Sequence, residues 1–178
     1  MKNKCKIIAI VSILLAGLLI GKARAQIAGA GKLQGSVGLE INDPTGNARI
    51  GSHFSLGGTV MLQYGLSNSF AVIATSGAYH FFPTIIPGTN KRYDSYGVIP
   101  VEAGVKWFFV PNIYVSGQAG IGREATDSGY GPNRLMLTPA LGYATRHWDF
   151  GVHYDNFSSP GGDHYGLLGV RLAYAFGL

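Results

Sequence analysis

The chain has 178 residues, of which 47% are hydrophobic, 12% are aromatic and 13% are charged, and its formal net charge is +5. Soluble domains usually carry about 25% charged residues, so this chain is unusually poor in charge. Five of the 14 Lys and Arg residues fall within the first 25 positions, and the other nine are balanced by nine Asp and Glu. The length suits one domain, and the balanced remainder lacks the basic surface that a nucleic-acid partner requires.

The first 25 residues have the pattern of a secretory signal peptide. Met1–Lys6 is basic, Ile7–Gly21 is uncharged and mostly apolar, and Ala23 and Ala25 form an A-x-A cleavage motif. The apolar run of about 15 residues is shorter than the ~20 needed to span a bilayer. We therefore expect a cleaved signal peptide over residues 1–25 and one domain over residues 26–178. Cys5, the single cysteine, would leave with the peptide, which excludes disulfides and thiol chemistry from that domain.

Beyond residue 25 the sequence alternates between bulky apolar and small or polar residues, which predicts β-strands. The alternation is clear from Phe54 to Tyr64, from Ile99 to Phe109 and from Leu168 to Leu178. Between Phe70 and Phe82 both sides of the predicted strand are apolar, so its facing is undetermined. In chain order the candidate strands cover residues 32–42, 53–65, 69–82, 95–109, 112–124, 134–146, 148–158 and 165–178.

The connections between these strands alternate in length. Short ones are expected at residues 66–68, 110–111 and 146–147, and long ones at residues 43–52, 83–94, 125–133 and 159–164. An even number of antiparallel strands with short turns at one rim and long loops at the other is typical of outer-membrane barrels. The predicted fold is all-β, an eight-stranded antiparallel up-and-down transmembrane β-barrel.

The bulky apolar side of the strands is expected to face lipid, because the opposite side is dominated by small and uncharged polar residues that suit a narrow lumen. A secreted soluble barrel with a ligand cavity is the inverse alternative. Aromatic residues at the short-turn ends of the strands predict an interfacial girdle. Its members are Tyr64, Trp107, Phe109, Trp148, Tyr174 and Phe176.

Charged residues on the inward side predict a network that fills the lumen. Its principal members are Glu40, Glu102, Lys106, Asp155 and Arg171. Unpaired charges in so narrow a space would be costly, so we expect Glu40 to pair with Arg171 and Glu102 with Lys106. Eight strands leave room for side chains only, which predicts a plugged lumen. A narrow gated pore is the alternative.

The final strand, Val170–Leu178, places Tyr174 and Phe176 at alternate positions. Together with the leader and the eight alternating strands, it resembles the small OmpA/OmpX-like outer-membrane β-barrel family of Gram-negative bacteria, particularly its Bacteroidetes-type members. The resemblance implies a location in the outer membrane and contact with its lipid and lipopolysaccharide. It also implies recognition of the last strand by the barrel-assembly machinery, although Leu178 replaces the family's usual terminal aromatic residue.

A lipid A-modifying barrel enzyme is the enzymatic alternative. His153-Tyr154-Asp155-Asn156 resembles the His-x-Ser-Asn motif of lipid A deacylases, but Asp155 stands where the nucleophilic serine would be. Without that serine the nucleophile and its base cannot form locally, so we expect no catalytic residues. The five histidines lack a spacing such as His-x-x-x-His, which predicts no metal site, and no cofactor is expected.

The predicted long loops are the expected place for specific binding. Lys91 and Arg92 could meet lipopolysaccharide phosphates, and Tyr93, Tyr130 and His164 could contact a surface protein or glycan. We therefore expect a non-enzymatic envelope protein with a structural or surface-interaction role.

Overall fold

The computed structural model describes residues 29–126, 129–159, 161–162 and 164–178. The predicted signal peptide, with Cys5, lies outside this range. The described chain forms eight strands and a single helical turn. They are β1 (Leu33–Gly46), α1 (Ala48–Gly51), β2 (Ser52–Gly65), β3 (Phe70–Pro83), β4 (Tyr96–Val110), β5 (Ile113–Thr126), β6 (Gly129–Ala144), β7 (Trp148–Ser158) and β8 (His164–Gly177).

Each strand pairs antiparallel with the next, and β1 pairs antiparallel with β8, which closes the sheet into a barrel. The predicted eight-stranded up-and-down architecture is confirmed. Within the described residues, no helix is both long and apolar enough to cross a bilayer.

Side chains alternate between the two faces of the barrel wall, as the two-residue period requires. On β2, Thr59 is buried and Val60 is 53% exposed; on β8, Arg171 is buried and Val170 is 52% exposed. The outer surface is therefore apolar, and small and polar residues line much of the interior.

The strands at the long-loop rim extend further than their turn-forming residues suggested. β1 continues through Pro44 to Gly46 by pairing with β8 alone, and its register with β2 ends at Asn42. Proline is tolerated there because its missing N–H falls on the unpaired side of the strand.

The third predicted long loop, residues 125–133, is largely strand. Thr126 pairs with Gly129 and Arg123 pairs with Asn133, with a register shift between Arg123 and Ala125. The Gly, Pro and Asn residues that suggested a loop are accommodated where the ladder is irregular. The prediction of four long loops is wrong at this connection, where only residues 127–128 separate β5 from β6.

The ambiguous third strand turns Tyr79 and Phe81 into the barrel and His80 and Phe82 outward. Both sides are apolar because the interior at the long-loop end is itself apolar. A buried cluster fills it, made of Ala48, Tyr79, Phe81, Val98, Met136, Phe157, Tyr165 and Leu167.

Candidate functional site in the barrel interior

The middle of the barrel contains a buried charged cluster. It consists of Glu40, Glu102, Lys106, Asp149, His153, Asp155 and Arg171, all of them buried. These side chains come from β1, β4, β7 and β8, and each lies at an inward position of its strand.

Lys106 and Asp149 form the shortest ion pair of this cluster. Lys106 Nζ lies 2.7 Å from Asp149 Oδ2, and Tyr114 donates a 2.6 Å hydrogen bond from its hydroxyl to Asp149 Oδ1. The ammonium also lies 4.1 Å from the centre of the Tyr114 ring. Ionic and cation–π contacts therefore compensate the buried lysine.

Arg171 connects this pair to Glu40 on the neighbouring strand. Glu40 and Arg171 are register partners, and Arg171 Nε lies 3.5 Å from Glu40 Oε1. Arg171 donates hydrogen bonds to Thr59 Oγ1 and Ser36 Oγ, both 3.1 Å away, and Thr59 donates to Glu40 Oε1 at 2.9 Å. Arg171 Nη1 lies 3.9 Å from Asp149 Oδ2, so the guanidinium stands between two carboxylates.

Glu102 does not pair with Lys106 as expected. Four residues along a strand span about 13 Å, which is too far for contact, whereas side chains from opposite walls of a narrow lumen meet. Glu102 Oε1 instead lies 2.7 Å from Thr138 Oγ1, which is also 3.1 Å from Asp155 Oδ1. A hydroxyl has one proton, so Thr138 can donate to only one of these carboxylates at a time.

A single ring nitrogen of His153 faces three oxygen atoms. Its Nε2 lies 3.2 Å from Asn42 Oδ1, 3.5 Å from Glu40 Oε2 and 3.7 Å from Asp155 Oδ2. Gly169 lies between Asn42 and His153 in the register of β1, β8 and β7. A Cβ at Gly169 would overlap both Asn42 Oδ1 and His153 Nε2, so glycine makes this approach possible.

Several polar atoms of the interior lack a hydrogen-bond partner. Among the described residues, these buried atoms are Glu40 Oε2, Asn42 Nδ2, Ser55 Oγ, Asp155 Oδ2 and Arg171 Nη1. Two of them face His153, and the three ligand atoms available from Glu40, His153 and Asp155 lie within 4.8 Å of one another. These residues therefore form a possible metal-ligand set.

The spacing of the histidines along the sequence did not indicate this set. His153 and Asp155 form a His-x-Asp sequence on a strand, and a spacing of two puts both side chains on one face. Glu40 comes from β1, two strands away around the wall. The local signal was present in the sequence, but the third residue could be found only from the closure of the barrel.

The charged cluster borders a cavity of about 30 Å³. Glu40, Glu102, His153 and Asp155 are among its lining residues. This volume is enough to hold one or two water molecules or a bare ion.

The apolar cluster lies on the long-loop side of these charges. Phe81 stacks on Tyr96 at 4.2 Å, and Phe157 stacks on Tyr165 at 4.7 Å. Above them Arg134 Nε lies 2.5 Å from Glu124 Oε1, and the Tyr165 hydroxyl donates to the same oxygen at 3.3 Å. The sequence analysis did not predict this aromatic plug, which lies between the Glu124–Arg134 pair and the charged cluster. Its stacked rings are those of Phe81, Tyr96, Phe157 and Tyr165.

The six predicted girdle residues all lie exposed on the outer face at the short-turn end, and several pack against one another. Trp107 stacks on Phe70 at 5.9 Å and lies 6.0 Å from Phe109, and Trp148 packs edge-on against Tyr174 at 5.4 Å. Tyr64 and Phe176 are 44% and 40% exposed.

The predicted loop residues are not brought together into one site. Lys91, Arg92 and Tyr93 lie in the β3–β4 connection, where Arg92 forms an isolated bridge with Ile85. Tyr130 lies on β6, not in a loop, and its ring covers the Arg123 guanidinium at 4.3 Å.

His164 begins β8, and its Nδ1 lies 3.2 Å from the carbonyl oxygen of Gly162. Like Lys91 and Arg92, it is exposed at the long-loop rim. The predicted loop residues therefore form a dispersed set of cationic and aromatic groups.

No protein-family model and no curated protein sequence matches this chain. Solved structures do match. Ail, the attachment invasion locus protein of Yersinia pestis, gives a TM-score of 0.57 at 14% identity, covering 83% of this chain and 99% of Ail. Ail has also been solved with the heparin analogue sucrose octasulfate.

Neisserial surface protein A gives the same TM-score of 0.57 at 14% identity, with 83% of this chain and 99% of that chain covered. The outer membrane protein OprG of Pseudomonas aeruginosa gives 0.51 at 11% identity, covering 85% and 99%. At these identities the likeness shows the fold, which is that of the small outer-membrane β-barrels.

Proposed function

We propose that this protein is a non-enzymatic integral outer-membrane β-barrel with a plugged lumen and a structural or surface-interaction role in the cell envelope. The observation that carries the proposal is the continuous apolar outer surface of a closed barrel. Leu39 is 67% exposed, and Ile41, Val101 and Leu141 are each more than half exposed on different strands. Soluble proteins rarely expose contiguous apolar surface on this scale, whereas a barrel in lipid requires it.

Lipid is the first partner of this surface. The aromatic residues at the short-turn end would lie at the level of the headgroups, because indole and phenol rings prefer that interface. The short turns would then face the periplasm, and the long-loop rim would meet lipopolysaccharide. The assembly machinery would recognise β8, whose Tyr174 and Phe176 alternate on the outer face. These features support membership of the OmpA/OmpX-like family, and the proposal that the chain is one of its Bacteroidetes-type members rests on the sequence resemblance alone.

The plugged lumen is supported by two successive obstructions. The ion pairs of Lys106, Asp149, Arg171 and Glu40 occupy the middle, and the aromatic plug around Phe81 closes the long-loop side. Opening a continuous path would require separating buried ion pairs and displacing packed rings. A closed interior is therefore favoured over a gated pore.

A surface-interaction role rests on the exposed groups of the long-loop rim. Lys91 and Arg92 are exposed cations, and Tyr130 is 65% exposed. Ail is a barrel of the same fold that binds a heparin analogue in its crystal structure. A sulfated or phosphorylated glycan is the corresponding class of surface ligand for this chain.

Membrane fractionation combined with gel mobility tests the proposal. We expect the protein in the outer-membrane fraction, and we expect its unheated SDS mobility to differ from its boiled mobility, because a closed barrel has no open edge. Recovery in the soluble fraction without a heat-dependent shift would contradict the proposal and favour a soluble barrel with an internal ligand.

Lipid A mass spectrometry tests the non-enzymatic assignment. The contacts of His153 are with Asn42, Glu40 and Asp155, which do not supply the hydroxyl nucleophile of a deacylase. We expect identical acyl patterns in membranes with and without the protein. A changed pattern that disappears with His153→Gln would favour the lipid A-modifying alternative.

A further inference from the structure

The surroundings of His153 contain more acceptors than its nitrogen can serve. An Nε2 proton can be directed to only one of Asn42 Oδ1, Glu40 Oε2 and Asp155 Oδ2. Both carboxylate oxygens are completely buried and have no hydrogen-bond partner among the described residues. Buried acceptors of this kind are costly unless something compensates them.

The net charge of the surrounding cluster also indicates that a compensating positive charge is missing. The described cluster holds the carboxyl groups of Glu40, Glu102, Asp149 and Asp155 and the cationic side chains of Lys106 and Arg171. With neutral His153 and ionised carboxyl groups, its net charge is −2. Lys106 and Arg171 both approach Asp149, and Arg171 also approaches Glu40, whereas Asp155 forms a described ion-pair contact only with His153. The uncompensated negative charge therefore lies on the His153 side.

The distances around His153 suit a small divalent ion. The ligand atoms of a tetrahedral zinc site are about 3.3–3.6 Å apart, since zinc–nitrogen and zinc–oxygen bonds measure about 2.0–2.2 Å. His153 Nε2 lies 3.5 Å from Glu40 Oε2 and 3.7 Å from Asp155 Oδ2. Asn42 Oδ1 is a further oxygen at 3.2 Å, and the adjoining cavity of about 30 Å³ gives space for an ion or its water ligand.

The framework holds these ligands in place. Glu40 is on β1 and His153 and Asp155 are on β7, both within paired segments of the barrel wall. Gly169, on the strand between them, leaves free the space that a Cβ would fill. Sites built on paired strands are more precise than sites on loops.

We propose that Glu40, His153 and Asp155 form a binding site for one divalent transition-metal cation inside the barrel. The ion would compensate both orphaned carboxylate oxygens and the excess negative charge together. An imidazole nitrogen with two carboxylates favours zinc-like ions over Mg²⁺ or Ca²⁺, which prefer oxygen ligands. The site is independent of the surrounding lipid, because it lies wholly in the interior.

Zinc content after metal-free refolding tests the proposal. The full chain, without a histidine tag, is unfolded with chelator, refolded in detergent, equilibrated with Zn²⁺ and gel-filtered before elemental analysis. We expect one tightly held zinc ion per folded wild-type chain. We expect the Glu40→Gln/Asp155→Asn variant to bind at least about 100-fold more weakly, because two ligands are lost.

Matched variants separate this site from other carboxylates and histidines. Glu124→Gln removes an interior carboxylate outside the cluster, and His80→Gln and His147→Gln remove exposed imidazoles. All three are expected to keep the zinc ion. Equal loss in these controls, or retention by the double variant, would overturn the assignment.

The wild-type chain also provides a test that needs no variant. Binding to the folded state alone must raise the unfolding midpoint as free Zn²⁺ increases. The heat-dependent shift in SDS mobility reports folding in each sample. A folded wild-type chain with no stoichiometric zinc and no shift in midpoint would overturn the proposal and leave protons as the groups that neutralise the cluster.

Discussion

At the scale of single residues, two ion pairs of nearly equal length differ in how deeply they are buried. Lys106 and Asp149 meet at 2.7 Å with side chains 1% and 7% exposed, and Arg49 and Asp43 meet at 2.9 Å with side chains 54% and 50% exposed. Water screens the second pair, whereas the first pair is shielded from bulk water. Removing one member of the buried pair leaves the other buried and only weakly compensated.

We expect Lys106→Met to destabilise the barrel by about 3–5 kcal/mol, because Asp149 would remain buried with only the more distant Arg171 as its cation. The matched variant Arg49→Met should cost at most about 1 kcal/mol. Urea unfolding in lipid vesicles, followed by the fluorescence of Trp107 and Trp148, measures both. Equal costs would contradict the idea that burial determines the strength of the interior network.

Gly169 and Gly58 provide a second comparison at this scale. A Cβ at Gly169 would overlap Asn42 and His153, whereas a Cβ at Gly58, on the outer face of β2, would meet no atom within 4 Å. We expect Gly169→Ala to destabilise by about 1–3 kcal/mol through overpacking and Gly58→Ala to be nearly neutral. The same unfolding measurement applies, and a neutral Gly169→Ala would show that Asn42 and His153 can separate without cost.

At the scale of the strands, the position of a residue along its strand determines whether the outer face tolerates a charged side chain there. Val60 lies at the middle of β2, and Leu66 lies at the short-turn end, and both are more than half exposed. We expect Val60→Arg to destabilise by about 2–4 kcal/mol in lipid vesicles and Leu66→Arg by about 0–1 kcal/mol. Equal and small effects would indicate that water, not lipid, surrounds the barrel.

The strands were predictable because each long one has an apolar and a small or polar side, from which the barrel architecture follows. The alternation did not predict which side of β3 faces inward, because Tyr79 and Phe81 enter an apolar part of the interior and the outer face is apolar as well. Turn-forming residues failed at Gly129–Asn133, because pairing with β5 outweighs their local preference. Local signals could not indicate where the interior changes from charged to apolar.

The members of the interior site were predictable, but most of their partners were not. Arg171 and Glu40 could be matched because strand closure makes β1 and β8 neighbours. Lys106 meets Asp149 across the lumen, and His153 meets Asn42 over Gly169. Such contacts depend on barrel diameter and strand register, and neither can be predicted from the spacing of residues along one strand.

At the scale of the whole molecule, the interior predicts the absence of ion conduction. The aromatic plug and the ion pairs lie one behind the other along the barrel axis. We expect the wild-type protein in planar lipid bilayers to show no discrete conductance steps. A porin serves as the positive control for insertion, and reproducible steps from the folded wild type would contradict the plugged lumen.

The pairing of β1 with β8 also determines when the structure can be completed. The other strand pairings join consecutive strands and can form one after another along the chain. The β1–β8 seam instead joins Glu40 to Arg171 across nearly the full described length. Bringing together ends separated by about 130 residues costs about 4 kcal/mol in chain entropy. The thirteen register pairs of the seam must repay that cost together. A chain that ended before β8 would retain two unsatisfied strand edges, each able to recruit another molecule.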